Sequence, residues 1–231
     1  MDAGSYCREV ESHLCRMNDG HLIRIVGPAF EVVCGWATRQ IPLGVVHRAI
    51  DRTFDRYYAK EGRRRPIRIE YCEADVLELF DEWRRAVGVA TVERVESASR
   101  TSRRTSLAGH IDRVTDRLTA WQTAGEGTAD RTDVVGELIA ELVTLREPAR
   151  TSRGEARRRL VERLDEIQHQ LTAALRQLVK PAEYAALRAE ATRDLDSFRD
   201  RMPREALLRA TEAGTDQLLY DHFKLPRISF E

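Results

Sequence analysis

The sequence predicts an all-α protein with a compact N-terminal helical domain and a C-terminal antiparallel helical bundle or coiled-coil hairpin. Charged residues make up 33% of the 231 residues and aromatic residues only 6%, a balance that favours amphipathic helices over a β-sandwich. Apolar residues recur at helical spacing through most of the chain, and prolines and glycines stand where these segments begin and end. Hydrophobic residues make up 42%, enough to bury a core.

Three helices are predicted at the start of the first domain, residues 1–88. Ser5 can cap the first helix, and the turn-forming residues 18–20 end it. Gly27 and Pro28 indicate a cap followed by proline in the first helical turn, and Pro42 starts the third helix in the same way. The apolar side chains expected to face inward from these helices include Tyr6, Val10, Leu14, Phe30, Val33, Ala37, Ile50, Phe54 and Tyr57.

The first domain is expected to close with a loop, a short extended piece and a fourth helix. Gly62 ends the third helix, and an arginine-rich loop follows it. The apolar positions Ile67, Ile69 and Tyr71 alternate, which predicts an extended segment. From about residue 72 the spacing is helical again, and Gly88 is the expected C-terminal cap.

Residues 89–130 are predicted to be a linker that holds a helix at residues 107–121, because Thr, Ser, Glu and Arg dominate its first half. Residues 131–231 are predicted to form the C-terminal bundle. Its expected helices are Thr132–Leu145, Gly154–Val179, Pro181–Met202 and Pro203–Phe223, with boundaries marked by prolines and by a capping box at residues 152–155.

The longest of these helices carries a coiled-coil seam whose apolar residues alternate steps of four and three. Such a seam needs a partner. Antiparallel pairing with the following helix, residues 184–202, would satisfy it within the chain, and dimerisation through the same face would satisfy it between copies. The candidate partner-binding residues are Leu160, Leu164, Ile167, Leu171 and Leu178.

Bulk charge and hydropathy exclude some classes of partner. Basic and acidic residues both number 38, so no net charge draws the whole molecule to DNA or to anionic lipid. The sequence has no stretch of about 18 apolar residues, so we expect a cytoplasmic protein with no membrane partner.

The N-terminal cysteines and histidines raise the question of metal binding or catalysis. Cys7, Cys15, Cys34 and Cys72 include no closely spaced pair, so buried reduced thiols are expected and no cofactor is predicted. His47, Asp51 and Asp55 follow one another at four-residue steps, which suits a metal or proton-handling row and equally a surface ion-pair ladder. A helical metalloprotein or enzyme built on these residues is therefore the alternative to a non-enzymatic protein.

The arginine-rich loop is the local feature that indicates nucleic-acid binding. Arginines beside an aromatic side chain suit a phosphate backbone and an unpaired base. The hydrophobic pattern leaves a second interpretation open for the two aromatic residues, which is burial in the core. The candidate nucleic-acid-binding residues are Arg63, Arg64, Arg65, Arg68, Tyr71 and Trp83.

Residues 28–83 resemble the helical domain of DnaD-type replication-initiation and helicase-loading proteins. The resemblance lies in Trp36 near a helix end, the Ile41-Pro42 turn, Ala49-Ile50 in the next helix, and then Tyr71 and Trp83 after a basic connection. It implies binding to DNA or to a replicative helicase. The leading expectation is a non-enzymatic helical adaptor that binds a protein partner or a second copy of itself, with nucleic-acid contact through its first domain.

Overall fold

The computed structural model of the protein describes residues 1–59, 66–88, 106–124 and 129–230. The fold is all-α, as predicted, and the described residues contain no β-strand. Short 3-10 helices cover Ile69–Cys72 and Asp196–Arg201. The α-helices are α1 (Ala3–Met17), α2 (Pro28–Thr38), α3 (Leu43–Tyr58), α4 (Glu73–Val87), α5 (Leu107–Ala124), α6 (Ala129–Thr151), α7 (Gly154–Leu178), α8 (Pro181–Asp194) and α9 (Arg204–His222).

The helix boundaries in the first 88 residues follow the local signals closely. Gly27, at φ 61°, caps α2 ahead of Pro28, and Pro42 precedes α3. Gly88, at φ 69°, ends α4 in the left-handed conformation that glycine adopts without strain. The start of α1 differs from the prediction, because the carboxylate of Asp2 accepts the backbone N–H of Ser5 at 2.5 Å and so caps the helix three residues earlier.

The chain divides into two compact units, and each combines segments that are distant in sequence. Unit 1 consists of Met1–Thr91 and Arg188–Thr215, and unit 2 of Val92–Leu187 and Asp216–Glu231. This division differs from the predicted boundaries at residues 88 and 131. Residues 188–215 belong to unit 1 because their apolar side chains lie in its core, and the predicted linker helix is instead a core helix of unit 2.

The core of unit 1 lies between α1, α2, α3 and α4, where α3 packs against both α1 and α4. Val10, Val33 and Ile50 are fully buried there. Residues 195–210 add a further apolar set to the same core, of which Phe198 lies against Trp83 with a ring-centroid distance of 5.6 Å. Phe30 was expected to face inward and is instead 40% exposed.

The core of unit 2 lies between α5, α6 and α7, with α6 packed against both neighbours. Pro148 does not end α6, which runs through it to Thr151, so the predicted boundary at Leu145 is too early. The residues of α5 and α7 that fill this core include Leu107, Ile111, Leu118, Leu164, Ile167, Leu171 and Leu175. No helix among the described residues is both long enough and apolar enough to cross a membrane.

Candidate binding groove

Unit 1 contains a groove of about 1080 Å³, which we call the basic groove. Three pieces of the chain build it: residues 21–26 with the start of α2, the C-terminal half of α3, and residues 66–71. The floor is apolar, with buried Ile25, Ile67 and Ile69, and arginine and tyrosine side chains stand at its rim. Concave surfaces with an apolar floor and a few polar groups are the usual form of a binding site.

Side chains of α1 hold residues 21–26, the first wall of the basic groove, in place. Glu11 accepts the backbone N–H of Ile25 through Oε2 at 2.8 Å. The Sγ atom of Cys15 lies 3.3 Å from the N atom and 3.5 Å from the O atom of Ile23, and so contacts both backbone groups. The wall therefore takes its conformation from α1, although it contains no helix or strand of its own.

Asn18 holds residues 66–68, the second wall, and is 1% exposed. Its Oδ1 accepts the backbone N–H of Ile67 at 2.8 Å, and its Nδ2 donates to the carbonyl oxygen of Ile67 at 3.1 Å. Nδ2 also donates to the carbonyl oxygen of Leu14 at 2.9 Å. The amide group thus takes the place of a paired strand for Ile67 and joins it to the end of α1.

Exposed apolar side chains concentrate at the basic groove. Leu22 is 76% exposed, Val26 65% and Tyr71 70%, and Tyr57 is also exposed at 39%. All four line the groove. Single exposed apolar residues are normal on a protein surface, but several around one concavity indicate a surface that another molecule covers.

The rim of the basic groove carries positive charge. Arg24 and Arg68 are exposed, and within the described part of the chain neither has a carboxylate within 4.0 Å. Arg56 differs from them, because its two terminal nitrogens lie 2.9 and 2.7 Å from the two oxygens of buried Asp75. Glu70 is the acidic residue in the lining, so the balance at the rim is positive.

The structure separates the predicted nucleic-acid-binding residues into three groups. Arg68 and Tyr71 lie in the basic groove. Trp83 is 2% exposed and stacks on Phe80 at 5.9 Å in the core of unit 1, so it is a core residue and not a contact for a ligand. Arg63, Arg64 and Arg65 lie outside the described residues.

The side chains of the predicted His47–Asp51–Asp55 row do not act as one group, because His47 and Asp51 both contact His13 on α1. Nε2 of His13 lies 2.7 Å from Oδ1 of Asp51, and the rings of His13 and His47 stack with centroids 4.2 Å apart. Burial, and after it the adjacent His13 ring, lower the pKa of His47 from 6.5 to about 4. Asp55 is exposed, and the described residues contain no group of three or more His, Cys, Asp or Glu side chains that could hold a metal ion.

The arginines of α3 form ion pairs with other elements of unit 1. Arg48 lies 2.6 Å from Glu190 and 3.2 Å from Asp194, both on α8. Arg52 lies 3.1 Å from Glu78 on α4. These contacts give the charged face of α3 a structural role in joining helices.

The predicted partner-binding seam of α7 is largely covered within unit 2. Leu164, Ile167 and Leu171 are fully buried, while Leu160 and Leu178 are partly buried against the same core. α6 packs on α7, and the seam therefore meets α5 and α6 side chains, with Tyr184 and Leu187 as the contribution from α8. Within the described part of the chain these residues therefore belong to, or pack against, the core of unit 2, and dimerisation through the seam stays a prediction.

Sequence reasoning missed Arg24, Leu22 and Val26 as groove residues, and it interpreted Asn18 only as a helix stop. The available signal was the apolar run at residues 21–26 between Gly20 and Gly27, too short to classify as helix or strand. A short apolar run that belongs to no regular element and contains an arginine is the pattern that could have indicated an exposed binding wall.

Fold and groove together define the chain as an all-α protein with a basic, apolar-floored groove in its first unit. No protein-family model, curated protein or solved structure matches it. The resemblance of residues 28–83 to DnaD-type proteins stays a prediction.

Proposed function

We propose that the protein is an adaptor that binds, in the basic groove, a segment of a protein partner with bulky apolar side chains flanked by acidic residues. The observation that carries this proposal is the coincidence, around one concavity, of four exposed apolar side chains with two arginines that lack a carboxylate partner in the described part of the chain.

The apolar component supplies the main free energy of binding. Covering an exposed leucine or valine side chain contributes up to about 1.5–3 kcal/mol, and Leu22 and Val26 are both far from buried in the free protein. Tyrosine and arginine are the residue types that dominate binding energy in protein interfaces, and both occur on the rim of the groove. An apolar ligand with no charge would leave the rim arginines unused.

The charged component selects the partner. Arg24 and Arg68 belong to two different walls of the basic groove, residues 21–26 and 66–71, so two carboxylates flanking an apolar anchor can each meet a guanidinium group. A basic segment would meet like charge and be rejected. The proposed ligand is therefore acidic at its flanks and apolar at its centre.

Selection from a displayed random-peptide library on the purified protein tests the proposal, followed by fluorescence anisotropy with the enriched peptides. We expect enrichment of acidic residues around leucine, isoleucine or phenylalanine, and at least a tenfold loss of affinity for the Arg24→Glu/Arg68→Glu variant. Arg39→Glu is the matched control, since Arg39 is exposed at the other end of α2 and does not line the groove. Enrichment of peptides that bind the double variant equally well would refute the proposal.

A second candidate function is binding of single-stranded nucleic acid, favoured by one specific pair. Arg68 and Tyr71 are three residues apart at the groove rim, both exposed, and could supply a phosphate contact and a stacking surface. The resemblance to DnaD-type proteins points to the same class of ligand. The exposed aliphatic side chains of Leu22 and Val26 favour the protein partner over this alternative.

Titration of labelled single- and double-stranded DNA at two salt concentrations distinguishes the two functions. Nucleic-acid binding predicts an affinity that falls with salt and that drops on Arg68→Ala and on Tyr71→Ala. A triple variant with alanine at Arg63, Arg64 and Arg65 tests the part of the loop outside the described residues. If neither DNA form binds at low salt, the nucleic-acid function is rejected and the peptide result stands alone.

A further inference from the structure

Residues Leu225–Phe230 contain no helix or strand and pack on the core of unit 2, and we call them the docked segment. We call the surface that receives them, which includes Gln168 and His110, the cleft. Leu225 and Ile228 are buried in the core formed by α5, α6 and α7, and Phe230 packs against the same core. Arg227, between the two buried positions, is exposed. Leu225 and Ile228, three positions apart, thus anchor the segment as apolar side chains anchor a peptide in a binding groove.

Two polar side chains of the cleft fix the backbone of the docked segment at Ile228. Oε1 of Gln168 accepts the N–H of Ile228 at 2.6 Å and that of Ser229 at 3.4 Å. Nε2 of His110 lies 2.9 Å from the carbonyl oxygen of Ile228, which requires His110 to donate there. The His110 ring also meets the Phe230 ring edge-on at 5.2 Å. Hydrogen bonds to the main chain at residues 228–229 and the ring contact with Phe230 together hold the docked segment in the cleft.

The turn that leads from α9 into the docked segment is short and strained. The N–H of Leu225 donates to the carbonyl oxygen of Tyr220 at 2.9 Å, and that of Lys224 to Asp221 at 3.0 Å. This is the hydrogen-bond pattern of a helix C-terminus that normally carries glycine in the left-handed position. Here Lys224 occupies that position with φ 54°, a conformation that a side chain bearing Cβ disfavours.

We infer that the docked segment exchanges between two copies of the protein, so that Leu225–Phe230 of each copy fills the cleft of the other. The contacts at Gln168 and His110 are the same in the exchanged and the closed form, because the segment and the cleft are unchanged. The difference is the turn: opening it releases Lys224 from the left-handed conformation. Short strained hinges next to a docked element are the known setting for such exchange.

Sedimentation velocity over a wide concentration range tests the role of the hinge. We expect a concentration-dependent dimer. Lys224→Gly removes the strain from the closed form, so exchange no longer relieves it. The association constant of the dimer should therefore fall about fivefold for each of the two hinges, or about twenty-five-fold in total. Lys224→Pro cannot adopt the closed turn and should raise the dimer fraction. A protein that stays monomeric as both wild type and Lys224→Pro would overturn the inference.

Complementation of two defective chains tests the exchange itself. Ile228→Asp gives a chain with an intact cleft and a segment that cannot dock, and Gln168→Ala/His110→Ala gives an intact segment and a defective cleft. Each chain alone should be monomeric, and their mixture should form a heterodimer with one exchanged segment. Arg227→Ala, at the exposed position, is the matched control and should dimerise like wild type. Retained helical circular dichroism shows that the variants fold.

Two outcomes of the complementation experiment contradict exchange. Dimers that persist in Ile228→Asp alone would place the interface elsewhere, and folded chains that remain monomeric when mixed would show that the cleft does not accept a segment in trans. The peptide-binding test of the basic groove is independent of both results, because that groove lies in unit 1.

Discussion

Replacement of Asn18 by alanine should destabilise unit 1 by about 3 kcal/mol. The side-chain amide serves the N–H and the carbonyl oxygen of Ile67 at 2.8 and 3.1 Å, and alanine leaves both of these groups without it. Each buried polar group that loses its partner costs about 1–3 kcal/mol, so two groups lead to about 3 kcal/mol once some relaxation is allowed. The carbonyl oxygen of Leu14 keeps a second partner, the N–H of residue 18, and adds little.

Urea unfolding followed by tryptophan fluorescence measures this loss. Trp36 and Trp83 report on unit 1, and a Trp121→Phe background removes the signal of unit 2 in both proteins compared. Asn18→Ala should also weaken binding in the basic groove, because residues 66–68 lose the contact that holds them. Thr38→Ala, which removes an exposed side-chain bond, should change stability by less than about 0.5 kcal/mol. A loss below about 1 kcal/mol for Asn18→Ala would show that Ile67 does not depend on the amide.

Three further outcomes follow from the packing of unit 1. The pKa of His47 falls from 6.5 to about 4 on folding, so between these pH values the unfolded chain binds a proton that the folded chain does not. The free energy of unfolding of unit 1 should therefore fall by about 1–2 kcal/mol as the pH drops from 6.5 to about 4. Urea midpoints measured across this range for wild type and His47→Gln should isolate the contribution of His47. Trp83→Ala should cost about 3–5 kcal/mol in urea unfolding, whereas Tyr71→Ala, at an exposed position, should cost less than about 0.5 kcal/mol and affect only binding. Gly35→Ala should raise the free energy of unfolding by about 0.5–1 kcal/mol because its Cβ meets nothing within 4 Å, while Gly44→Ala should show no such gain because its Cβ would lie 2.5 Å from Asp194.

Local features of the sequence predicted the four α-helices of the first 88 residues, apart from the start of α1. They missed the 3-10 helix Ile69–Cys72, because the alternating apolar residues there predicted an extended segment. Gly27-Pro28, Pro42 and Gly88 mark real helix ends, because capping and backbone preferences act over a few residues only. The all-α class followed from the same signals. Where a local signal failed, at Pro148 inside α6, the surrounding helix outweighed the preference of one residue.

The candidate site was predictable only in part. Arg68 and Tyr71 were chosen from sequence and lie in the basic groove, whereas Trp83 satisfied the same pattern and is buried. The sequence pattern around an aromatic residue is the same whether its side chain is exposed to solvent or buried in the core. Arg24 and Leu22 were missed because the wall they belong to has no periodicity of its own and takes its shape from Glu11 and Cys15 on α1.

The sequence alone determined which segments are helical and which of their faces are apolar, because helix propensity, capping and a 3.6-residue period are properties of neighbouring residues. Tertiary structure alone decided what each apolar face packs against. Residues 188–215 joined the first unit and not the predicted hairpin with α7, and Asn18 brought Ile67, 49 positions away, beside α1 to form one wall of the groove. The spacing of apolar residues predicts which helix face is buried but not which other helix covers that face. The hydrogen-bond partner of a buried side-chain amide, such as that of Asn18, is likewise set only when the chain folds.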